Sequence, residues 1–75
     1  MKRELKDPTR AQFTEAVNEV GRNIIREKWI ASAYYTAQEW AGGSVHSDPY
    51  GVSITPLIVS WQWAHGFLTV TVSKD

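Results

Sequence analysis

Towards the end of the chain, apolar and polar residues alternate in two runs that mirror each other. Leu57, Val59, Trp61 and Trp63 hold every second position of one run, and Leu68, Val70 and Val72 of the other. Period-two alternation is the signature of a half-buried strand. One apolar set falls on odd numbers and the other on even numbers. They share a face of an antiparallel pair only if the loop between them has an even number of residues. A two-residue turn at His65-Gly66 meets this condition and predicts the pairs Trp63–Leu68, Trp61–Val70 and Val59–Val72. Glycine there supplies the positive φ that such turns need. The opposite face of the hairpin carries Ile58, Ser60, Gln62, Phe67, Thr69, Thr71 and Ser73. That face is polar but uncharged, with few of the lysines that block edge-to-edge pairing, so a free edge here could accept a strand from a partner or a second copy.

Upstream the period changes. Asp7-Pro8 reads as an N-cap followed by proline at the first helical position. Proline is absent from there to Ala41, and Gly42-Gly43 closes the segment. Most of residues 8–41 is therefore expected to be helical. Phe13, Ala16, Val17, Val20 and Ile24 form one stripe, and Ile25, Trp29, Ala33 and Trp40 another on nearly the opposite side. The face changes near Gly21-Arg22-Asn23. The predicted element is one long helix, continuous or kinked, with a break at Gly21 into an αα-hairpin as the alternative. Met1–Asp7 is expected to be a mobile charged lead-in, with residues 8–75 forming a single domain.

Asp48-Pro49-Tyr50-Gly51 fits a type I turn. Val45 and Ile54 are expected to face each other across it, and Thr55-Pro56 to mark a bulge or strand start. The predicted fold is α+β: an N-terminal helix packed on a two- to three-stranded antiparallel meander that ends in the tight hairpin.

Composition narrows the function. A chain of 75 residues is near the lower limit for a self-supporting core, and its four tryptophans, three tyrosines and two phenylalanines compensate. With no cysteine, no disulfide or thiolate–metal site is expected. Eight Lys/Arg balance eight Asp/Glu, giving no net pull toward nucleic acid or anionic membrane. No apolar run is long enough to cross a bilayer, and residues 1–7 lack a signal-peptide core, so a cytoplasmic location is expected.

His46, His65 and Asp48 show no metal-ligand spacing, and no nucleophile, phosphate-loop or paired-carboxylate motif is present. Neither an enzymatic activity nor a cofactor is expected. The adjacent apolar pairs Ile24-Ile25, Trp29-Ile30 and Tyr34-Tyr35 make the helix apolar over a wide arc that a small meander covers on one side only. A protein partner or a second copy is expected to cover the remainder. Tyr34, Tyr35, Trp40, Tyr50 and Trp29 are the candidate anchors, with Arg22 and Arg26 orienting them.

The function expected is that of a small intracellular regulator or inhibitor. It would occupy a surface of a larger protein and self-associate, with a homodimer as the expected form. The alternative is a nucleic-acid-binding accessory protein using Arg22, Arg26 and Lys28, together with Lys2, Arg3, Lys6 and Arg10. The plain reading of Arg22, Arg26 and Lys28 is a solvated flank paired with Glu15, Glu19 and Glu27. Trp61 and Trp63 are expected to lie in the core.

Overall fold

The structure, a computed structural model, describes residues 1–21, 27–47 and 57–74, with the backbone alone for residues 45–47. Its elements run β1 (Lys2–Lys6), α1 (Arg10–Gly21), α2 (Glu27–Glu39), β2 (Gly42–Ser47), β3 (Leu57–Ala64) and β4 (Phe67–Lys74). The strands form one antiparallel sheet in the order β1-β4-β3-β2. The protein is α+β.

The hairpin follows its alternation. Trp63 pairs with Leu68, Trp61 with Val70 and Val59 with Val72. His65 and Gly66 both have positive φ, 56° and 85°. Two successive positive values define the type I′ turn, whose twist matches that of the flanking strands.

The helical segment follows the two-helix alternative, not the single helix: α1 ends at Gly21 and α2 begins at Glu27. The stripe of α1 is the expected Phe13, Ala16, Val17 and Val20, whereas α2 turns Ile30, Ala33 and Ala37 inward. Both stripes meet the same sheet face, built from Leu57, Val59, Trp61, Leu68, Val70 and Val72. Two separate helices resolve the change of face seen near Gly21, because each aims its own stripe at one core. A fully buried Val, Leu, Ile or Phe contributes roughly 1.5–3 kcal/mol by leaving water. Trp29 and Tyr34 are half-buried at the margin of this core.

The start of α1 also differs. Thr9, not Asp7, is the cap: the Gln12 amide donates to Thr9 Oγ1 at 3.2 Å and the Thr9 amide to Gln12 Oε1 at 2.8 Å. This reciprocal arrangement is a capping box. Asp7 is occupied elsewhere, at the corner between β1 and α1, where it adopts a left-handed φ of 43° and bonds to Leu68.

Residues 2–6, expected to be a mobile lead-in, form the edge strand β1 against β4. Leu5 lies opposite Val70 and packs against the core, and Arg3 pairs with Glu19 of α1. Glu19 thus has a cation from a distant element of the fold.

Gly42 and Gly43 begin β2 instead of ending the helix. Gly43 lies opposite Trp61, and a Cβ built on it would stand 3.3 Å from Trp61 Cζ2. Glycine therefore lets the buried indole lie against the edge strand. With β1 joined to the expected meander, the sheet is four-stranded where two or three strands were expected. Val45 pairs with Val59. The expected turn at Asp48–Gly51, the Ile54 facing and the Thr55-Pro56 bulge lie outside the described residues.

Candidate interaction surfaces

Among the described residues β1 and β2 are the two edges of the sheet, and their peptide groups can be assigned. A two-residue turn makes Ala64 and Phe67 a hydrogen-bonded pair, and bonded and non-bonded pairs then alternate along the hairpin. Odd residues of β4 therefore bond to β3, and even ones to β1. The bonds from the Asp7 amide to the Leu68 carbonyl at 2.7 Å and from the Lys74 amide to the Met1 carbonyl at 3.1 Å agree with this alternation. By the same parity, odd residues of β3 bond to Gly43, Val45 and Ser47. The peptides of Gly42, Ser44 and His46 thus point away from the sheet on one edge, and those of Lys2, Glu4 and Lys6 on the other.

The edges differ in chemistry. β1 carries Lys2, Glu4 and Lys6, all exposed, whereas β2 reads Gly-Gly-Ser-Val-His-Ser with no Asp, Glu, Lys or Arg. Charged side chains on an edge strand discourage another strand from adding there. Between the edges, the sheet face away from the helices presents Ser60, Gln62, Thr69 and Thr71. Together with Glu4 and Trp61 these line a shallow groove of about 270 Å³. It offers hydroxyl and amide hydrogen bonds with one carboxylate at its margin.

A second feature occupies the corner where α2 gives way to β2. Trp40 is 62 % exposed and Trp63 42 %. The Trp63 indole Nε1 donates to the Trp40 carbonyl oxygen at 2.9 Å, so the two residues are held together. Trp61 is buried as expected, but Trp63, on the same face of the strand and also expected in the core, is not. Trp63 lies beside Trp40, just past the end of α2 at Glu39 and so at the limit of the helical cover.

The tyrosine pair divides between fold and surface. Tyr34 turns its ring toward Phe13, with centroids 5.8 Å apart, and its hydroxyl donates to the Pro8 carbonyl at 3.3 Å. Tyr35 points outward, 52 % exposed, with the Arg10 guanidinium 5.9 Å from its ring centroid. Arg10 is also paired with Glu27. Of the sequence candidates, Tyr35 and Trp40 are exposed, Tyr34 and Trp29 pack at the core margin, and Arg22, Arg26 and Tyr50 lie outside the described residues. Trp63 joins Trp40 unexpectedly. Nothing in its alternation distinguishes it from Trp61.

Among the described residues no three His, Cys, Asp or Glu side chains converge as metal ligands, and no helix is long and apolar enough to cross a membrane. No protein-family model, curated protein or solved structure matches the chain.

Proposed function

We propose that this chain is a small intracellular protein-binding regulator or inhibitor, which acts by occupying a surface of a larger protein and which self-associates. The observation that supports this reading is the Trp40–Trp63 corner. Two large aromatic side chains stand exposed at one place, tied by the bond from Trp63 Nε1 to the Trp40 carbonyl. Each tryptophan buries 150–250 Å² when covered, a range typical of large aromatics. Tryptophan, tyrosine and arginine are also the residues in which interface energy concentrates. The Trp63 indole, already held by that bond, loses less rotamer freedom on docking, which favours affinity. Tyr35 with Arg10 provides a second aromatic contact on the helical layer. The mechanism is steric: the bound domain blocks whatever the covered surface would otherwise engage.

The charges favour this reading over nucleic-acid binding. Arg3 and Arg10, two of the cations that alternative draws on, are each paired with a glutamate.

The test is a comparative affinity capture from native lysate using the wild type and Trp40→Ala, each with and without nuclease. A stoichiometric protein that survives nuclease and is lost with Trp40→Ala is the expected result. Captured material that vanishes with nuclease, or that ignores the substitution, would overturn the assignment of this corner.

A further inference from the structure

We propose that β2 is the surface on which a second copy of this chain adds, strand against strand and antiparallel, joining two four-stranded sheets into one. The proposal rests on the self-association part of the reading above and gives it a location.

The peptide groups come first. Gly42, Ser44 and His46 direct their N–H and C=O groups away from β3, and no described strand pairs with them. Gly42, Gly43 and Ser44 are exposed. An extended strand is the chemistry that satisfies such a row of alternating donors and acceptors.

A second copy is favoured over an unrelated strand by the way β2 matches itself. Ser44 is the middle one of the outward-pointing residues. A two-fold axis at Ser44 sets Ser44 against its counterpart, Gly42 against His46 of the partner subunit, and Gly43 against Val45 of the partner subunit. Every outward N–H and C=O of Gly42, Ser44 and His46 is then paired. The residues without side chains fall opposite the larger ones, and no charge meets a like charge. The other edge excludes the competing arrangement. β2 adding to β1 would be a head-to-tail contact that leads to a ring or a filament, and it would have to accept the Lys2, Glu4 and Lys6 row that guards that edge. The two-fold pairing closes at a dimer.

The experiment is sedimentation velocity over a concentration series on the full chain, for the wild type, Ser44→Pro, Ser44→Lys and Ser44→Glu. Proline is tolerated on an edge strand where the missing N–H faces outward. Ser44→Pro should therefore keep the far-UV circular dichroism spectrum of the wild type while losing the dimer. Ser44→Lys and Ser44→Glu should each be monomeric, because like charges would face each other across the axis, and mixing them should restore a dimer.

A wild type that stays monomeric throughout, or a folded Ser44→Pro that still dimerises, overturns the proposal. Failure of the Lys and Glu variants to combine when each alone is monomeric overturns the Ser44-centred register. Should Ser44→Pro fail to fold, the charge pair decides alone. A monomeric wild type whose Gly42, Ser44 and His46 amides become protected only on adding a foreign extended peptide would replace the second copy with that peptide. Trp40→Ala separates the two readings: it should remain dimeric while losing the larger partner.

Discussion

Asp7 holds the Leu68 peptide from both sides. Its amide donates to the Leu68 carbonyl at 2.7 Å, and its Oδ1 accepts from the Leu68 amide at 2.9 Å. One residue thus closes β1 against β4 and turns the chain into α1. Its φ of 43° is a conformation that Asp and Asn tolerate better than alanine does. Asp7→Ala should cost about 2 kcal/mol through the lost charged hydrogen bond and the left-handed backbone. Asp7→Asn, which keeps an acceptor and the tolerance, should lose less than half of that. Urea midpoints of the two variants measure the difference, and equal midpoints would refute the role.

His65 sits at φ 56° in the hairpin turn. Asparagine is better suited to that position of a type I′ turn. His65→Asn should stabilise by a few tenths to about 1 kcal/mol, which in a domain of this size raises the melting temperature by up to about 4–8 °C. His65→Val, with a branched Cβ forced into the left-handed region, should destabilise by about 1–2 kcal/mol. Thermal unfolding followed by circular dichroism reads both signs.

Gly43 is held small by its neighbour. Trp61 is only 6 % exposed, so its ring cannot swing away from a new methyl group that would arrive 3.3 Å from Cζ2. Gly43→Ala should cost about 1–2 kcal/mol by overpacking and should alter the near-ultraviolet circular dichroism of the tryptophans. An unchanged spectrum with unchanged stability would mean that the ring is not confined.

Neighbouring tyrosines should respond oppositely to the same substitution. Tyr34→Ala removes a ring packed on Phe13 and a bond to Pro8, and should destabilise by about 2–4 kcal/mol. Tyr35→Ala removes an outward ring and should change stability by less than about 0.5 kcal/mol. Chemical denaturation of the pair is the check; a strongly destabilised Tyr35→Ala would place that residue in the fold rather than at a surface.

These residues also show what can be read from the chain before its structure. The hairpin was legible because both strands alternate over most of their length and the turn is two residues long, so register follows from parity. β1 was not, because the strand Lys-Arg-Glu-Leu-Lys contains one apolar residue, and its pairing depends on β4, far along the chain. The capping box was written plainly as Thr9-x-x-Gln12 but was outcompeted by the stronger Asp7-Pro8 signal. Trp40 and Tyr35 were named as candidate anchors because the helical segment is apolar over too wide an arc for one meander to cover. The same argument also named Tyr34 and Trp29, which pack at the core margin. Trp63 was not among them, since the limit of the helical cover depends on where α2 stops. Tyr34 could not be told from Tyr35 by sequence, because adjacent helical residues differ only in which one a particular core accepts.

The strand order has a consequence for how the molecule comes into being. Emerging from the ribosome, β1 is made first, yet its neighbour β4 is made last. The helices are complete well before the sheet that covers Phe13, Val17 and Ile30. The growing chain therefore carries uncovered apolar stripes until the final hairpin appears, the condition in which nascent chains need shielding from aggregation. The β3–β4 hairpin is the most local strand pairing in the sheet. Closure of β1 onto β4 joins the strands farthest apart in sequence and carries the largest loop-closure cost.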